Sequence, residues 1–511
     1  MKPHEELEEV SIADLQARLT DGQLSARELT QAYLDRVRAI DQAGPSLRSV
    51  IELNPDALDI AAALDQERAQ RGPRGPLHGI PVLIKDNIDT ADRMQTTAGS
   101  LALLDSRVLQ DATVASRLRL AGAVILGKTN LSEWANFRST RSTSGWSARG
   151  RQTRNPYVLD RNPGGSSSGS GVAVAASLAA AALGTETDGS IISPSANNNV
   201  VGIKPTVGLT SRAGVIPISH TQDTIGPHGR TVADAAAVLS AIAAPDPRDP
   251  ATGSQHAAGD YTRFLDAGAL SGARIGVARK FHTAYSEHTD RVFEAALEQM
   301  RACGAELVDE VEIPGEEALR QPLAPPDQAT AEVIVLQHDF KADLAGYLAT
   351  RPDARIHNMA DLIRFNEEHA DEEMPYFRQE RLVAAEACGP LTDGLYLRAL
   401  DHHSSFRARF AAFFAEQGFD ALVAPSNAPP WAIDLFNGDR LLGGSSMPAA
   451  VAGFPLVTVP AGFVRDRLPI GLTFMGGPWS EPALIGLAFA FEQASRARRA
   501  PGYLPTTLDL P

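Results

Sequence analysis

Apolar positions near the start of the chain repeat at helical spacing. Leu29, Tyr33, Val37 and Ile40 share one face, Ser25 and Glu28 stand at capping-box distance before them, and Gly44-Pro45 ends the run. Ser11 and Asp14 predict a helix just upstream, and residues 56–70 a third, closed by the turn-rich RGPRGPLHG. These N-terminal helices occupy about residues 10–70. The pattern then changes to short unbroken apolar runs. Residues 80–84, Ile-Pro-Val-Leu-Ile, predict a buried strand that delivers Lys85 at its end, and a helix at 113–121 leads into a second run at 123–126. Helices predicted at 231–242, 289–303 and about 482–499 alternate with strands at 274–278, 421–423, 456–459 and 470–474. Such alternation predicts an α/β fold with a central mixed β-sheet surrounded by α-helices. Residues of about 315–420 break it, being rich in charge and helical period, and read as a helical excursion. No stretch reads as a linker or an internal repeat, so residues 1–511 are expected to form one domain.

Charge removes some partners from consideration. Lys and Arg total 47 against 62 for Asp and Glu, a net charge of -15, which opposes nucleic acid as the main partner. With 43% hydrophobic and 21% charged residues the chain is an ordinary globular one rather than a disordered one. No window approaches a membrane span, the richest apolar stretch at 172–183 being mostly alanine. The opening MKPHEELEEV is acidic and lacks the basic and apolar regions of a secretory signal. A cytoplasmic location is therefore expected for the chain as given, although a signal removed earlier would leave the same start. Cys303 and Cys388 are too few and too far apart for a disulfide framework or a metal pair, and read as packed small side chains.

Three textual motifs compete for the chemistry. Gly122-Ala-Val-Ile-Leu-Gly127-Lys128-Thr129 spells a phosphate-binding loop, but its middle residues are a strand whose amides the sheet would use. Gly165-Ser-Ser167-Ser-Gly169 spells a nucleophile elbow, which needs a later acid and a histidine such as His338 or His403. His402 and His403 are adjacent, point to different faces of a helix and read as solvated rather than metal-binding, so no metal is expected. Two serine-glycine segments remain, GGSSSGSG at 164–171 and GTETDGSIISP at 184–194, clamped between apolar runs with one helix and one strand between them. A glycine-serine stretch in a polar tract would be a linker; here the backbone amides are expected to line a buried turn.

A lysine at a strand end together with two serine loops resembles the amidase signature family. The likeness runs from GIPVLIKDN to AVAGFPLVTVPAG and LPIGLTFMG, around a core of GGSSSGS, GTETDGS and GIKPT. Within the family the chain is most similar to bacterial peptide amidases, through GTETDGS, LGKTNLSEWANF and SGWSARG. The resemblance implies the amidase signature fold and a triad of Lys85, a bridging Ser166 held by a cis peptide, and the nucleophile Ser190. It implies a substrate that is a peptide or small-molecule amide, with no cofactor and no obligatory partner subunit. Asp188 stands where the general motif has glycine, a change peptide amidases share. Two places depart from the family: Ile192 where arginine is common, and Asn199 where glycine is. Asparagine tolerates left-handed backbone, so Asn199 is expected to replace that glycine, with Asn197 and Asn198 left unexplained.

Amide hydrolysis needs a nucleophile, a base and oxyanion stabilisation. Ser190 would attack, its proton passing through Ser166 to a Lys85 kept neutral by burial among uncharged partners and away from carboxylates. The backbone N–H groups of Thr187, Asp188, Gly189 and Ser190 are the expected oxyanion donors. Trp134, Phe137, Trp146 and Trp431 are candidates for an apolar pocket or for plain core packing, and residues 443–447 for the entrance. The alternatives are an aryl-acylamidase or small-amide hydrolase, and the amidase subunit of a tRNA-dependent amidotransferase.

Overall fold

The computed structural model describes residues 5–323 and 329–508. Its strands are β1 (Val50–Leu53), β2 (Pro81–Lys85), β3 (Val124–Thr129), β4 (Trp146–Ser147), β5 (Arg151–Gln152), β6 (Ala181–Glu186), β7 (Val201–Lys204), β8 (Thr224–Gly229), β9 (Arg274–Val277), β10 (Glu306–Val308), β11 (Ala421–Pro425), β12 (Leu456–Val464) and β13 (Leu468–Met475). Apart from the small β4-β5 hairpin they form one 11-stranded sheet in the order β1-β3-β2-β6-β8-β7-β12-β13-β11-β9-β10. β3, β2 and β6 are parallel neighbours, as are β11, β9 and β10, while the strands between them pair antiparallel. The sheet is therefore mixed, as the alternation of elements implied.

β2 and β6 are buried on every residue, and their first residues, 81–84 and 181–183, are unbroken apolar runs because helices cover both faces. The helix Ser168–Ala175 packs on β2, β3, β6 and β8, and Ile192–Asn197 packs on β7, β12 and β13. Both follow a serine-glycine loop, so the two loops open at neighbouring strand ends. Parallel β2 and β6 lie side by side, and their carboxyl ends bring Lys85 and Thr185 together. Ligand sites in open α/β sheets form at such ends.

The predicted N-terminal helices are present as Ile12–Thr20, Ala26–Arg36 and Ala57–Arg71, and Ser25 with Glu28 forms the full capping box. The final helix, Glu481–Ser495, stops short of the predicted 499 at Arg496, which takes a left-handed conformation. The excursion is helical, and its helices Ala331–Leu348, Met359–Glu368 and Glu380–Glu386 bury Phe340, Leu344, Leu362 and Leu382 against Trp134 and Phe137. An Arg138–Glu133 ion pair, fully buried at 2.6 Å, lies beside Glu373 and fixes this layer to the loops after β3. Among the described residues no helix is long and apolar enough to cross a membrane.

Candidate active site

Lys85 is fully buried. Its Nζ lies 2.8 Å from Ser166 Oγ, 2.8 Å from Thr185 Oγ1 and 3.3 Å from the Thr185 carbonyl. Burial pushes its pKa down to about 7, against the opposing pull of the Asp223 and Glu186 carboxyls. Its direct partners are uncharged, as expected, but it is not remote from carboxylates, and the expectation is corrected on that point. Burial raises both acids as well, Asp223 to about 6, which weakens their hold on the lysine proton. A neutral amine has two N–H donors and one lone pair. The two Thr185 oxygens can take the donors, which leaves the lone pair for the Ser166 hydroxyl.

The Gly165–Ser166 peptide is cis. Ser166 O accepts from Ser132 N at 3.0 Å, and Ser167 N donates to Ser190 O at 3.1 Å, which ties the first serine loop to the second. The second loop is shaped by Glu186, whose carboxylate accepts from the N–H groups of Ile191 at 2.6 Å and Ile192 at 2.9 Å. Gly189 has φ +76, and a Cβ there would come within 2.9 Å of Ser446 Oγ, so both backbone and space call for glycine. Thr187 Oγ1 donates to Asp223 at 2.5 Å and Thr187 O accepts from Gln222 at 3.2 Å. Among the described residues the N–H groups of Thr187, Asp188, Gly189 and Ser190 meet no protein acceptor. The arrangement sets a buried lysine against the Ser166 hydroxyl, in a loop hydrogen-bonded to a glycine turn whose amide donors are free.

The other motifs resolve as structure. Residues 124–129 are sheet strand β3, which removes the phosphate-loop reading. Ser167 Oγ donates to Thr185 O and accepts from Thr185 N, so the elbow serine is spent on backbone. His403 is buried rather than solvated, on the packed face of the helix Gly394–Gln417. Trp134, Phe137 and Trp146 are core residues, in tilted and edge-on ring contacts with Phe340 and Phe377, and Trp431 Nε1 donates to Asp439 at 3.0 Å. His220, Asp339 and Asp343 lie at metal-ligand spacing, yet Asp339 already accepts from Ser219, Thr221 and Tyr396. Ile192 packs in the apolar cluster around Phe410 and Phe454, which explains why a charge is not needed there.

The asparagine run is an anchor. Asn198 Nδ2 donates to Pro163 O and Pro194 O, both at 2.7 Å, bracing the chain just before Gly164. Asn199 has φ +53, the left-handed backbone expected of a glycine substitute, and its Oδ1 accepts from Arg499 N at 3.0 Å. Asn199→Ala is expected to lower the unfolding free energy in urea by about 1–2 kcal/mol, because alanine lacks the short polar side chain by which asparagine tolerates left-handed backbone, and Asn199→Gly by less, because glycine has no Cβ to clash. Equal effects of the two would remove the backbone explanation. Sequence reasoning missed Thr185, Glu186 and Asp223 as neighbours of Lys85. The first two stand inside GTETDGS itself, beside the residues singled out.

The amidase family model matches residues 28–485. The structure of native peptide amidase from Stenotrophomonas maltophilia is similar at 51% identity with a TM-score of 0.90, covering 97% of this chain and 99% of that one. A probable amidase of Arabidopsis thaliana is 42% identical over 98% of this chain and 92% of its own length. One subunit of the glutamyl-tRNA(Gln) amidotransferase of Halorhodospira halophila is 35% identical, over 95% of this chain and 97% of its own.

Proposed function

We propose, given that the chain belongs to the amidase family, that it removes the C-terminal carboxamide of peptides or N-acyl amino acid amides to give the free acid and ammonia. The observation that carries this reading is the buried contact of 2.8 Å between Lys85 Nζ and Ser166 Oγ, in a loop hydrogen-bonded to Ser190. Ser190 Oγ attacks the carboxamide carbon. Its proton moves to Ser166 and that of Ser166 to the neutral Lys85, while the N–H groups of Thr187, Asp188, Gly189 and Ser190 hold the oxyanion. As collapse breaks the C–N bond, the leaving –NH2 takes the proton back through Ser166 and departs as ammonia, and water cleaves the acyl-enzyme by the same relay. Each step uses protein groups and water alone, and none needs a partner subunit.

The choice of substrate is supported by the likeness to the Stenotrophomonas peptide amidase, which exceeds that to the amidotransferase chain by 51% to 35% in identity. The test is ammonia release from an N-protected dipeptide amide by the purified chain alone, with the product identified by mass spectrometry. The free peptide acid is expected. Turnover of anilides or small amides in place of the peptide amide would move the reading to an aryl-acylamidase or small-amide hydrolase.

A further inference from the structure

Arg48, Arg151 and Arg154 line one cleft of about 830 Å³, backed by the buried Trp146 and by Tyr376. Their backbones are hydrogen-bonded, but none of the three side chains makes a hydrogen bond or ion pair with another described residue. A second cleft of about 560 Å³ lies beside it, since the chain neighbours Asp160 and Arg161 line one each, as do Ile433 and Ala432. It holds Arg440, Arg465 and Arg467, whose side chains are equally without partners among the described residues. The acids of this face are spent. Asp439 accepts from Ser144, Asn162 and Trp431, Asp434 accepts from Phe436 and Asn437, Asp160 lies 3.4 Å from Arg161, and Asp466 pairs with Arg499. Arg48, Arg151 and Arg465 have φ values of 55°, 60° and 48°, left-handed backbone that stability alone would give to glycine.

The first cleft adjoins the serine loops. Ser144 Oγ lies 2.9 Å from where a Cβ on Gly165 would stand, and Trp146 follows two residues on, at most about 7 Å of chain. From Trp146 a row of rings runs outward: Tyr376 meets it edge-on at 5.8 Å and meets Phe436, which is 71% exposed, at 5.6 Å. A guanidinium presents a planar fork of N–H donors that fits a carboxylate, and rings beside it receive apolar side chains. Net charge narrows the ligand. At -15 the chain repels a long polyanion or an anionic bilayer over most of its surface, and a flat bilayer does not enter a cleft; a short acidic segment meets the arginines alone.

We propose that the cleft of Arg48, Arg151 and Arg154 is an exosite for acidic side chains of the peptide amide substrate, upstream of the carboxamide that Ser190 attacks. The inference rests on the function proposed above. The arginines of the second cleft extend the positive field in which such a substrate is drawn in.

The experiment compares an N-acetylated decapeptide amide rich in glutamate in its N-terminal half with its glutamine counterpart; extended, such a peptide spans about 33 Å. At low salt the parent chain should show at least about tenfold higher kcat/KM for the glutamate peptide, and the preference should shrink severalfold at about 1 M salt, which screens charges beyond about 3 Å. The triple variant Arg48→Gln, Arg151→Gln, Arg154→Gln should lose the preference and keep kcat/KM for an N-protected dipeptide amide within about twofold. Equal rates for the two decapeptides in the parent, or a preference that survives in the variant, overturn the proposal. Binding is read apart from turnover by fluorescence anisotropy of the labelled glutamate peptide as its C-terminal acid, which has no carboxamide to lose. The parent should bind it at least about tenfold more tightly than the variant, whose unfolding midpoint in urea reports that it is folded. Such binding with no turnover of any peptide amide faults only the proposed function, whereas its absence overturns the exosite even if amides are cleaved. Co-sedimentation with phosphatidylserine vesicles, lost in the variant and without peptide binding, assigns the arginines to a lipid surface and overturns it as well.

Discussion

Replacing Ser190 by alanine is expected to lower kcat/KM for a peptide amide by about 10⁴- to 10⁶-fold and leave the fold intact. The magnitude follows from the chemistry: without the hydroxyl there is no acyl-enzyme, and only binding and the oxyanion donors remain to assist direct attack by water. The fold should tolerate the change because no hydrogen bond from Ser190 Oγ to another described residue holds the turn. The turn is fixed instead by Glu186 on the N–H groups of Ile191 and Ile192, and by the Ser190 carbonyl accepting from Ser167 N. Ser166→Ala should cost a comparable factor, since the proton then has no path to Lys85. The double variant should be little worse than either, as groups that act as one relay are not additive. The check is ammonia release with unfolding curves for all three variants. Single losses that multiply in the double variant would show that Ser166 and Ser190 do not act in one step.

Much of this site can be read from local sequence. The run Ile80 to Ile84 announces a strand that ends in a lysine, and the glycines of the two serine loops announce turns whose amides stay free. The antiparallel insert in the middle of the sheet was not legible. β8 reads Thr-Ile-Gly-Pro-His-Gly, and glycine and proline both argue against a central strand. The sheet accepts it because the backbones come too close for side chains: a Cβ on Gly226 would lie 1.9 Å from Ile203 O. Hydropathy patterns record the burial of side chains, not the approach of backbones, so this strand leaves no trace in them. Asp223 was missed for another reason. It belongs to the polar stretch Ser-His-Thr-Gln-Asp-Thr at 219–224, whose local pattern fits a solvated surface, and only the tertiary fold turns it toward Lys85. Of the two readings left open for the aromatic residues, core packing holds, since Trp134 and Trp146 fill the packing between the sheet and the excursion.

Lys85→Met is expected to lower kcat/KM by about 10³- to 10⁴-fold and, in the same protein, to raise stability below pH 7. The loss of activity follows from removing the final proton acceptor. The parent enzyme should already show this dependence, with kcat/KM falling about tenfold per pH unit below about 7 as the lysine lone pair is protonated. The gain in stability has a separate origin. The unfolded lysine titrates near 10.4, whereas burial holds the folded one at about 7. Below pH 7 it is charged in both states, and the fold carries the full desolvation cost, on the order of several kcal/mol. Between about 7 and 10 the unfolded chain binds a proton that the folded one does not, so the parent gains stability as pH rises. Methionine carries no such cost at any pH. It does leave the Ser166 hydroxyl without its lysine partner, at a cost that does not vary with pH, while Thr185 Oγ1 still accepts from Asn87 at 3.0 Å and Thr185 O from Ser167 Oγ at 3.0 Å. The stability advantage of Lys85→Met should therefore be largest at pH 6 and shrink steadily toward pH 9, as urea unfolding at both values would show. A gap of the same size at the two pH values would mean that Lys85 is not held neutral by the fold, and with that the base of the proposed relay would be lost.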